Sequence, residues 1–332
     1  MKKTVLTIVL ATALGACQST ATDSMASNAD AAPSGAYKAA RLQGTQMPDM
    51  NGVWQVLNPA NYNIEAHPAQ SAMQLRPGPY GPVPAAPVVA LGAVGSVPAG
   101  IGIVQNDGGK IPYTADAAAM RNENRANWLD RDPEVKCYLP GVPRANYMDK
   151  PFQIFQSDSA FFIAYEYAGA VRNVYLGEET PNPDDVFPSW MGESYGEWDG
   201  DTFVVEVFGN NGEVWLDRAG NQLSAEAHIT ERWTKTSPHT MRYEATITDP
   251  GTLTAPLEIA FNLYKKVGED AQLQQFKCVE FVEELMYGHL RRNPLPGPAL
   301  ERARAEAEER GDDPDSIVPA DLPAEIDPAD LP

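Results

Sequence analysis

The chain has 332 residues, of which 43% are hydrophobic, so it is long enough to bury the core of one large domain or two ordinary ones. Its 45 acidic and 25 basic residues give a formal net charge of −20, which argues against nucleic acid and anionic membrane surfaces as partners. The composition therefore predicts a globular protein that does not bind nucleic acid.

The first residues have the three parts of an export signal, with Lys2 and Lys3 before an apolar run and small residues after it. The run is too short to span a bilayer. Its end, Leu14-Gly15-Ala16-Cys17, resembles the lipobox of bacterial lipoproteins. That resemblance implies that residues 1–16 are a signal peptide, that Cys17 is lipidated, and that the acyl chains anchor the protein to a membrane. For a Gram-negative host, the same resemblance implies sorting to the outer membrane, on its periplasmic face, because Gln18 and not Asp follows the cysteine.

Residues 17–46 are rich in Ala, Ser, Thr and Asn and lack a periodic apolar pattern, which predicts a flexible tether. Residues 47–292 are predicted to form a single β-rich domain whose first strand lies within Asn51 to Val56. Inside it, residues 68–112 are crowded with Pro and Gly and predict a long irregular insertion. Two interpretations of this insertion stay open: an extended segment packed on the core, or a flexible apolar flap.

A helix is predicted from Ala115 to Asp130, with Thr114 as its cap. From Pro151 onward, short β-like runs alternate with turn clusters and no helices intervene. This pattern predicts a mainly β fold, either an antiparallel, calycin- or lipocalin-like barrel or a sandwich. Asp199-Gly200 suits a type I′ hairpin turn. The predicted strands are 152–155, 161–167, 171–176, 202–208, 227–234, 241–248, 257–264 and 273–279.

Residues 293–332 predict a short helix from Ala299 to Arg310, followed by an acidic, disordered tail. With Cys17 lipidated, Cys137 and Cys278 are the remaining thiols, and thiols in an oxidising compartment tend to pair. We therefore predict a disulfide between them, with two separate buried thiols as the alternative. Neither cysteine lies in a C-x-x-C pattern or has a nearby histidine, so we predict no metal site and no cofactor.

Two segments carry a resemblance to a known family. Gly192–Thr202 has the pattern G-x-S-x-G-x-W-x-G-D-T, and Ser224–Arg232 has the pattern S-x-x-x-H-x-x-E-R. The chain resembles, roughly from Trp54 to Glu280, a family of exported bacterial proteins that share these patterns and have no established activity. The resemblance thus implies membership of this family but no particular activity.

The letters around Ser194 also match the G-x-S-x-G nucleophile elbow, which requires a strand before the serine and a helix after it. A hairpin signal follows instead, which argues against a serine nucleophile. His228 is the most interesting ionisable residue, because an imidazole can act as a general acid or base near neutral pH. In an extended strand it shares one face with Arg232, and Glu226 could orient it. If this face is turned toward a cavity, His228, Glu226 and Arg232 are catalytic candidates.

If that face is turned to solvent instead, Glu231 on the opposite face becomes a buried partner for an arginine such as Arg172. Aromatic side chains are further candidates, for lining a ligand pocket, although aromatic residues also fill β cores. These pocket candidates are Trp190, Tyr195, Trp198 and Trp233.

Three functional hypotheses follow from the sequence. The leading one is a lipid-anchored β-barrel that binds a small, mostly apolar molecule as its ligand. The second is a hydrolase or isomerase that uses His228, Glu226 and Arg232. The third is a structural component of an envelope assembly that uses the apolar insertion or the acidic tail as its contact surface.

Overall fold

The computed structural model describes residues 37–71, 75–76, 83–84, 96–177, 181–182, 185–282, 297–311 and 314. The predicted signal peptide, Cys17, most of the predicted tether and all of the predicted acidic tail except residues 311 and 314 lie outside these residues. The helices are α1 (Ala115–Ala126), α2 (Trp128–Arg131) and α3 (Gly297–Arg310). The strands are β1 (Gly52–Gln55), β2 (Gln70–Ser71), β3 (Leu75–Arg76), β4 (Val83–Pro84), β5 (Ser96–Val97), β6 (Phe152–Gln156), β7 (Phe161–Tyr165), β8 (Val171–Leu176), β9 (Glu193–Asp199), β10 (Thr202–Phe208), β11 (His228–Ser237), β12 (Thr240–Thr248) and β13 (Leu257–Lys265).

A closed barrel is the centre of the fold. Its strand order is β1-β13-β12-β11-β10-β9-β8-β7-β6, and β6 pairs with β1 to complete the circle. The barrel prediction is therefore confirmed, and the sandwich is not formed. The sheet is mixed rather than wholly antiparallel, because β8 and β9 pair in parallel. The connection from Gly177 to Gly192 is long enough for the crossover that a parallel pair requires.

Alternation along the strands fills the barrel with apolar side chains. On β12 the buried residues Met241, Tyr243, Ala245 and Ile247 alternate with less buried polar residues, as the period of two predicts. Eight of the twelve largest side chains with less than 2% exposure among the described residues belong to barrel strands. These eight residues are Trp54, Phe152, Ile154, Phe161, Ile163, Phe203, Trp233 and Tyr243.

One short turn of 3-10 helix, Arg144–Tyr147, packs against these inward-facing residues, and we call it the plug turn. All of its residues are exposed by 1% or less. The Tyr147 ring meets the Phe261 ring edge-on at a centroid distance of 5.7 Å. The Asn146 side chain donates a hydrogen bond to Glu231 on β11. The plug turn is therefore part of the barrel core rather than a surface loop.

Gly196 explains part of the G-x-S-x-G pattern. It lies on β9 in the same inward-facing row as Ser194, and a Cβ added there would lie 2.5 Å from Cζ of Phe203. A side chain at this position would collide with the barrel core. The strand then continues into the β9–β10 hairpin, without the strand–turn–helix context of a nucleophile elbow.

The turn of that hairpin differs from the prediction. Asp199 pairs with Thr202, so the two loop residues are Gly200 and Asp201. Only Gly200 has a positive φ, of 61°, whereas a type I′ turn needs positive φ at both central residues. The Asp201 side chain instead accepts hydrogen bonds from both terminal nitrogens of Arg41.

The contact with Arg41 also shows that the folded domain begins earlier in the chain than predicted. The tether was predicted to extend to residue 46, but Ala39 is already buried and Arg41 already pairs with the barrel. Of the Pro/Gly-rich insertion, residues 72–74, 77–82 and 85–95 lie outside the described residues. In the part from 96 to 112, Val104 forms a β-bridge with Ile259 of β13, and Ile103 is buried. This part packs on the core.

One helix prediction and one strand prediction need correction. The helix predicted from Ala115 to Asp130 begins as expected, with Thr114 accepting a hydrogen bond from the Ala117 amide, but it is interrupted at Asn127. The strand predicted at 273–279 is not formed. The backbone of that segment has no ladder partner, and a disulfide between Cys137 and Cys278 ties it to the loop before the plug turn.

Candidate functional site

A group of polar side chains lies inside the barrel, among apolar neighbours. Glu231 on β11 and Arg172 on β8 are at its centre, with side-chain exposures of 0% and 2%. Nη2 of Arg172 donates a hydrogen bond to Oε2 of Glu231, and Nε donates to the Ser194 hydroxyl over 2.7 Å. Alternation places these residues inside, because each occupies an inward-facing position of its strand.

Three further side chains complete the group. Oε1 of Glu231 accepts hydrogen bonds from Nδ2 of Asn146 at 2.8 Å and from the Tyr243 hydroxyl at 2.7 Å. The Tyr165 hydroxyl donates to Oδ1 of Asn146 over 2.8 Å. We call the six residues Asn146, Tyr165, Arg172, Ser194, Glu231 and Tyr243 the interior polar cluster. It joins the plug turn to five strands of the barrel.

The electrostatics of the cluster hold its groups in defined protonation states. Burial disfavours the charged form of Arg172, but the Glu231 carboxylate outweighs burial and raises the pKa of Arg172 above its ordinary value. Burial, with Glu231 nearby, raises the pKa of both Tyr165 and Tyr243. At neutral pH the guanidinium is therefore charged, and both phenols keep their protons and donate hydrogen bonds.

Two donors at inward-facing positions have no hydrogen-bond partner among the described residues: Nη1 of Arg172 and Nε1 of Trp233. Both atoms are fully buried, and an unpaired buried donor typically costs about 1–3 kcal/mol. The Trp233 ring lies 4.9 Å from the ring of Tyr243, whose hydroxyl binds the same carboxylate as Arg172. One unpaired donor thus belongs to the interior polar cluster, and the other belongs to a ring that packs on one of its members.

A second ionic cluster lies on the other side of the plug turn. Arg144 donates from Nε to Oδ1 of Asn61 at 2.9 Å and from Nη2 to Glu134. Arg218 contacts both oxygens of Glu134, at 2.7 and 2.8 Å. Asp132 lies 3.7 Å from Nη1 of Arg144. Both clusters together fix the plug turn, so we regard the second one as structural.

Glu134 of the second cluster predicts a loss of stability in strong acid, whereas Asp132, whose pKa burial raises to about 6, favours the folded state as the pH falls through that value. Burial acts to raise the pKa of Glu134, but Arg218 and Arg144 outweigh it and lower that pKa to about 2. Because the pKa of Glu134 is lower in the folded state than in the unfolded chain, its ionised form stabilises the fold. This contribution to the free energy of unfolding is complete above the unfolded-state pKa of about 4.5 and is lost as the pH falls from there toward 2. Its size is on the order of 3 kcal/mol.

We expect chemical denaturation at a series of pH values to show this loss in the wild-type protein. In Glu134→Gln the free energy of unfolding should be lower at neutral pH and should change less between pH about 4.5 and 2. Equal acid sensitivity of the two proteins would contradict the assignment to Glu134.

The three catalytic candidates from the sequence lie outside the barrel interior. The His228 side chain is half-exposed, and its Nε2 lies 2.6 Å from Oε2 of Glu206 on the neighbouring strand. Glu226 is exposed and does not contact His228 in the described hydrogen bonds. Arg232 pairs with the exposed carboxylate of Asp199. The structure therefore does not assemble these three residues into one site.

Glu206 is the carboxylate that sequence reasoning missed. Register places Glu206 opposite Thr230, two residues from His228, and the Thr230 hydroxyl donates to the same Oε2 at 2.9 Å. Burial acts to raise the pKa of Glu206, but hydrogen bonds from His228 and Thr230 outweigh it and lower that pKa. This is a cross-strand pair on the outer face, with no further acid, base or nucleophile at hydrogen-bond distance among the described contacts.

The four aromatic pocket candidates likewise do not lie together in one site. Trp233 is inside the barrel and carries one of the unpaired donors. Trp190 stacks on Tyr138 at 4.8 Å, away from the interior polar cluster. Tyr195 lies on the outer face of β9, stacked on Phe208 at 5.5 Å. Trp198 packs on Phe203 near the hairpin end.

Other kinds of site were sought in the described part of the chain. It contains no group of three or more His, Cys, Asp or Glu side chains that could hold a metal ion. None of its helices is long and apolar enough to cross a membrane. No protein-family model, curated protein or solved structure matches the chain.

Proposed function

We propose that this protein binds a small ligand inside its β-barrel, beside the interior polar cluster. The observation that supports the proposal is the pair of unpaired, fully buried donors on Arg172 and Trp233. Buried donors in native proteins nearly always have acceptors, supplied by protein, ordered water or ligand. A ligand oxygen beside Nη1 of Arg172 would remove this penalty, and the surrounding aromatic side chains would contact an apolar body.

The large inward-facing side chains limit the size of that ligand. The interior is lined by residues such as Phe152, Tyr243 and Phe261, whose rings already contact their neighbours at 4.7 to 6.1 Å between centroids. The ligand class is therefore a small molecule that is mostly apolar and carries at least one hydrogen-bond acceptor.

The first experiment is native mass spectrometry of the full protein purified from its host in nanodiscs, with protein-free nanodiscs as the blank. We expect a retained small molecule in the wild type. Trp233→Phe keeps the ring but removes the Nε1 donor, so retention should fall by roughly tenfold, the equivalent of about 1.4 kcal/mol. In the ligand-free state, removal of the unpaired Nε1 donor should offset part of the packing that is lost with the larger ring.

Trp198→Phe is the matched control, because Trp198 lies near the hairpin end and carries no unpaired donor. Retention by this variant should equal that of the wild type. A wild-type protein that contains only water in repeated preparations, and equal behaviour of both tryptophan variants, would overturn the proposal.

We further propose that the barrel is held at the periplasmic face of the outer membrane by lipid on Cys17. The support is the sequence Leu14-Gly15-Ala16-Cys17 after the export signal. We expect Cys17→Ser to abolish incorporation of radiolabelled palmitate and to leave an uncleaved precursor of higher mass. Cys278→Ser provides the control, since that cysteine is engaged in a disulfide and should leave labelling unchanged. Equal labelling of Cys17→Ser and the wild type would exclude this anchor.

A further inference from the structure

We infer that the ligand of the interior polar cluster is electrically neutral and presents a carbonyl or hydroxyl oxygen to Arg172, rather than a carboxylate or an amine. The inference rests on the proposed function and narrows it to a class of ligand. Two observations support it: the balance of charge inside the barrel, and the hydrogen bonds that Arg172 already donates to Glu231 and Ser194.

The first step is the charge balance. Arg172 and Glu231 form a pair of opposite charges, both buried to 2% exposure or less. The other charged groups at inward-facing positions of the described barrel strands are Lys235 and Lys265. They donate to the Asp49 and Asn51 carbonyls and lie 5.5 and 5.8 Å from the Trp54 ring centroid, so both have their own contacts. An anionic ligand at Nη1 of Arg172 would add an uncompensated negative charge next to Glu231. A buried charge without a partner is strongly disfavoured.

The second step is the geometry of the guanidinium. Carboxylates bind arginine best through two parallel hydrogen bonds from two of its nitrogens. Both pairs of adjacent nitrogens on Arg172 include Nη2, which Glu231 engages, and Nε is engaged by Ser194. Nη1 is left to donate by itself. A single oxygen with lone pairs, as in a ketone, ester, amide or alcohol, matches this arrangement.

The third step excludes amines. A cation would need a free acceptor, yet both oxygens of Glu231 already accept hydrogen bonds from Arg172, Asn146 and Tyr243. The two unpaired groups at inward-facing positions of the barrel strands, on Arg172 and Trp233, are donors. The site therefore matches a ligand whose polar end accepts hydrogen bonds and carries no positive charge.

The test compares two probes of the same shape, the neutral ketone para-fluoroacetophenone and the anion para-fluorobenzoate. Their dissociation constants are measured by fluorine NMR on the full protein in nanodiscs, after subtraction of binding to protein-free nanodiscs. We expect the ketone to bind at least roughly tenfold more tightly than the carboxylate. Trp233→Phe should weaken ketone binding, and Trp198→Phe should not.

Glu231→Gln supplies the sharpest variant, because it keeps the shape of the side chain and removes the charge that balances Arg172. Its preference should move toward the carboxylate by at least roughly tenfold. If this variant does not fold, the ratio of the two probes on the wild type decides.

Tighter binding of para-fluorobenzoate by the wild type would overturn this inference and leave the proposed function standing. If neither probe binds, the retained ligand found by native mass spectrometry decides: a neutral oxygen compound supports the inference, and a carboxylate or amine overturns it. If neither probe binds and no ligand is retained, the proposed function falls as well.

Discussion

Replacing both Cys137 and Cys278 by serine is expected to lower the free energy of unfolding by about 3–5 kcal/mol. The disulfide joins residues separated by 141 positions, and a cross-link that closes so long a loop restricts the unfolded chain strongly. The measurement is chemical denaturation of the wild type and of the double variant, under oxidising and reducing conditions.

A reducing agent is the internal control for this experiment. It should destabilise the wild type to the level of the double variant and have no effect on the double variant itself. A wild type that is unchanged by complete reduction, verified by thiol counting, would show that the disulfide contributes nothing to stability.

The disulfide has a local consequence as well. The segment around Cys278 has no strand partner, and single contacts hold it, among them the Phe276 ring at 5.5 Å from that of Tyr167 and hydrogen bonds from the Gln274 amide to Glu166 and from the Phe281 amide to the Val135 carbonyl. We therefore expect limited proteolysis of the reduced protein to cleave first within 266–282, before the barrel is cut.

Glu231→Ala is the second substitution with a large expected effect, a loss of about 3–5 kcal/mol in the free energy of unfolding. Removing this carboxylate leaves the Arg172 charge buried and unpaired, and it also takes an acceptor from Asn146 and Tyr243. The hydrogen bond that connects the plug turn to β11 is lost with it. Thermal and urea denaturation both report this change.

The neighbouring residue on the same strand is the matched control. Arg232 points to the opposite face, where its side chain is 45% exposed and pairs with Asp199, which is 68% exposed. Exposed pairs contribute at most about 1 kcal/mol, so Arg232→Ala should be nearly neutral. A double replacement, Arg172→Met with Glu231→Leu, should recover part of the loss, because it removes both charges together. Similar losses for Glu231→Ala and Arg232→Ala would contradict the burial of the ionic pair.

Much of the barrel is predictable from local sequence pattern. Period-two alternation and turn clusters identify β6, β7, β8, β10, β11, β12 and β13, since each strand needs one apolar face for the core. The same alternation on β11 assigns His228 and Arg232 to one face and Glu231 to the other. What it leaves undecided is which of these two faces is inside. In the structure Glu231 is inside, paired with Arg172.

The interior polar cluster is less accessible to sequence reasoning. Its clearest local signal on β11 is an acid between two apolar residues of the same face, where Ile229, Glu231 and Trp233 follow one another. Asn146 and Tyr165 carry no such signal. Their contacts in the cluster depend on the position of the plug turn inside the barrel, which the sequence around them does not indicate. The distance in sequence between Asn146 and Glu231 is 85 residues, and no short-range pattern encodes such a contact.

The alternation and the hairpin positions were thus determined by the sequence alone, because strand period and turn chemistry are local properties. Barrel closure through β1, the parallel β8–β9 pair, the plug turn and the unpaired donors of Arg172 and Trp233 were decided only by the tertiary structure. These features depend on contacts between residues far apart in the chain, whose energies are set by packing and desolvation in the assembled core.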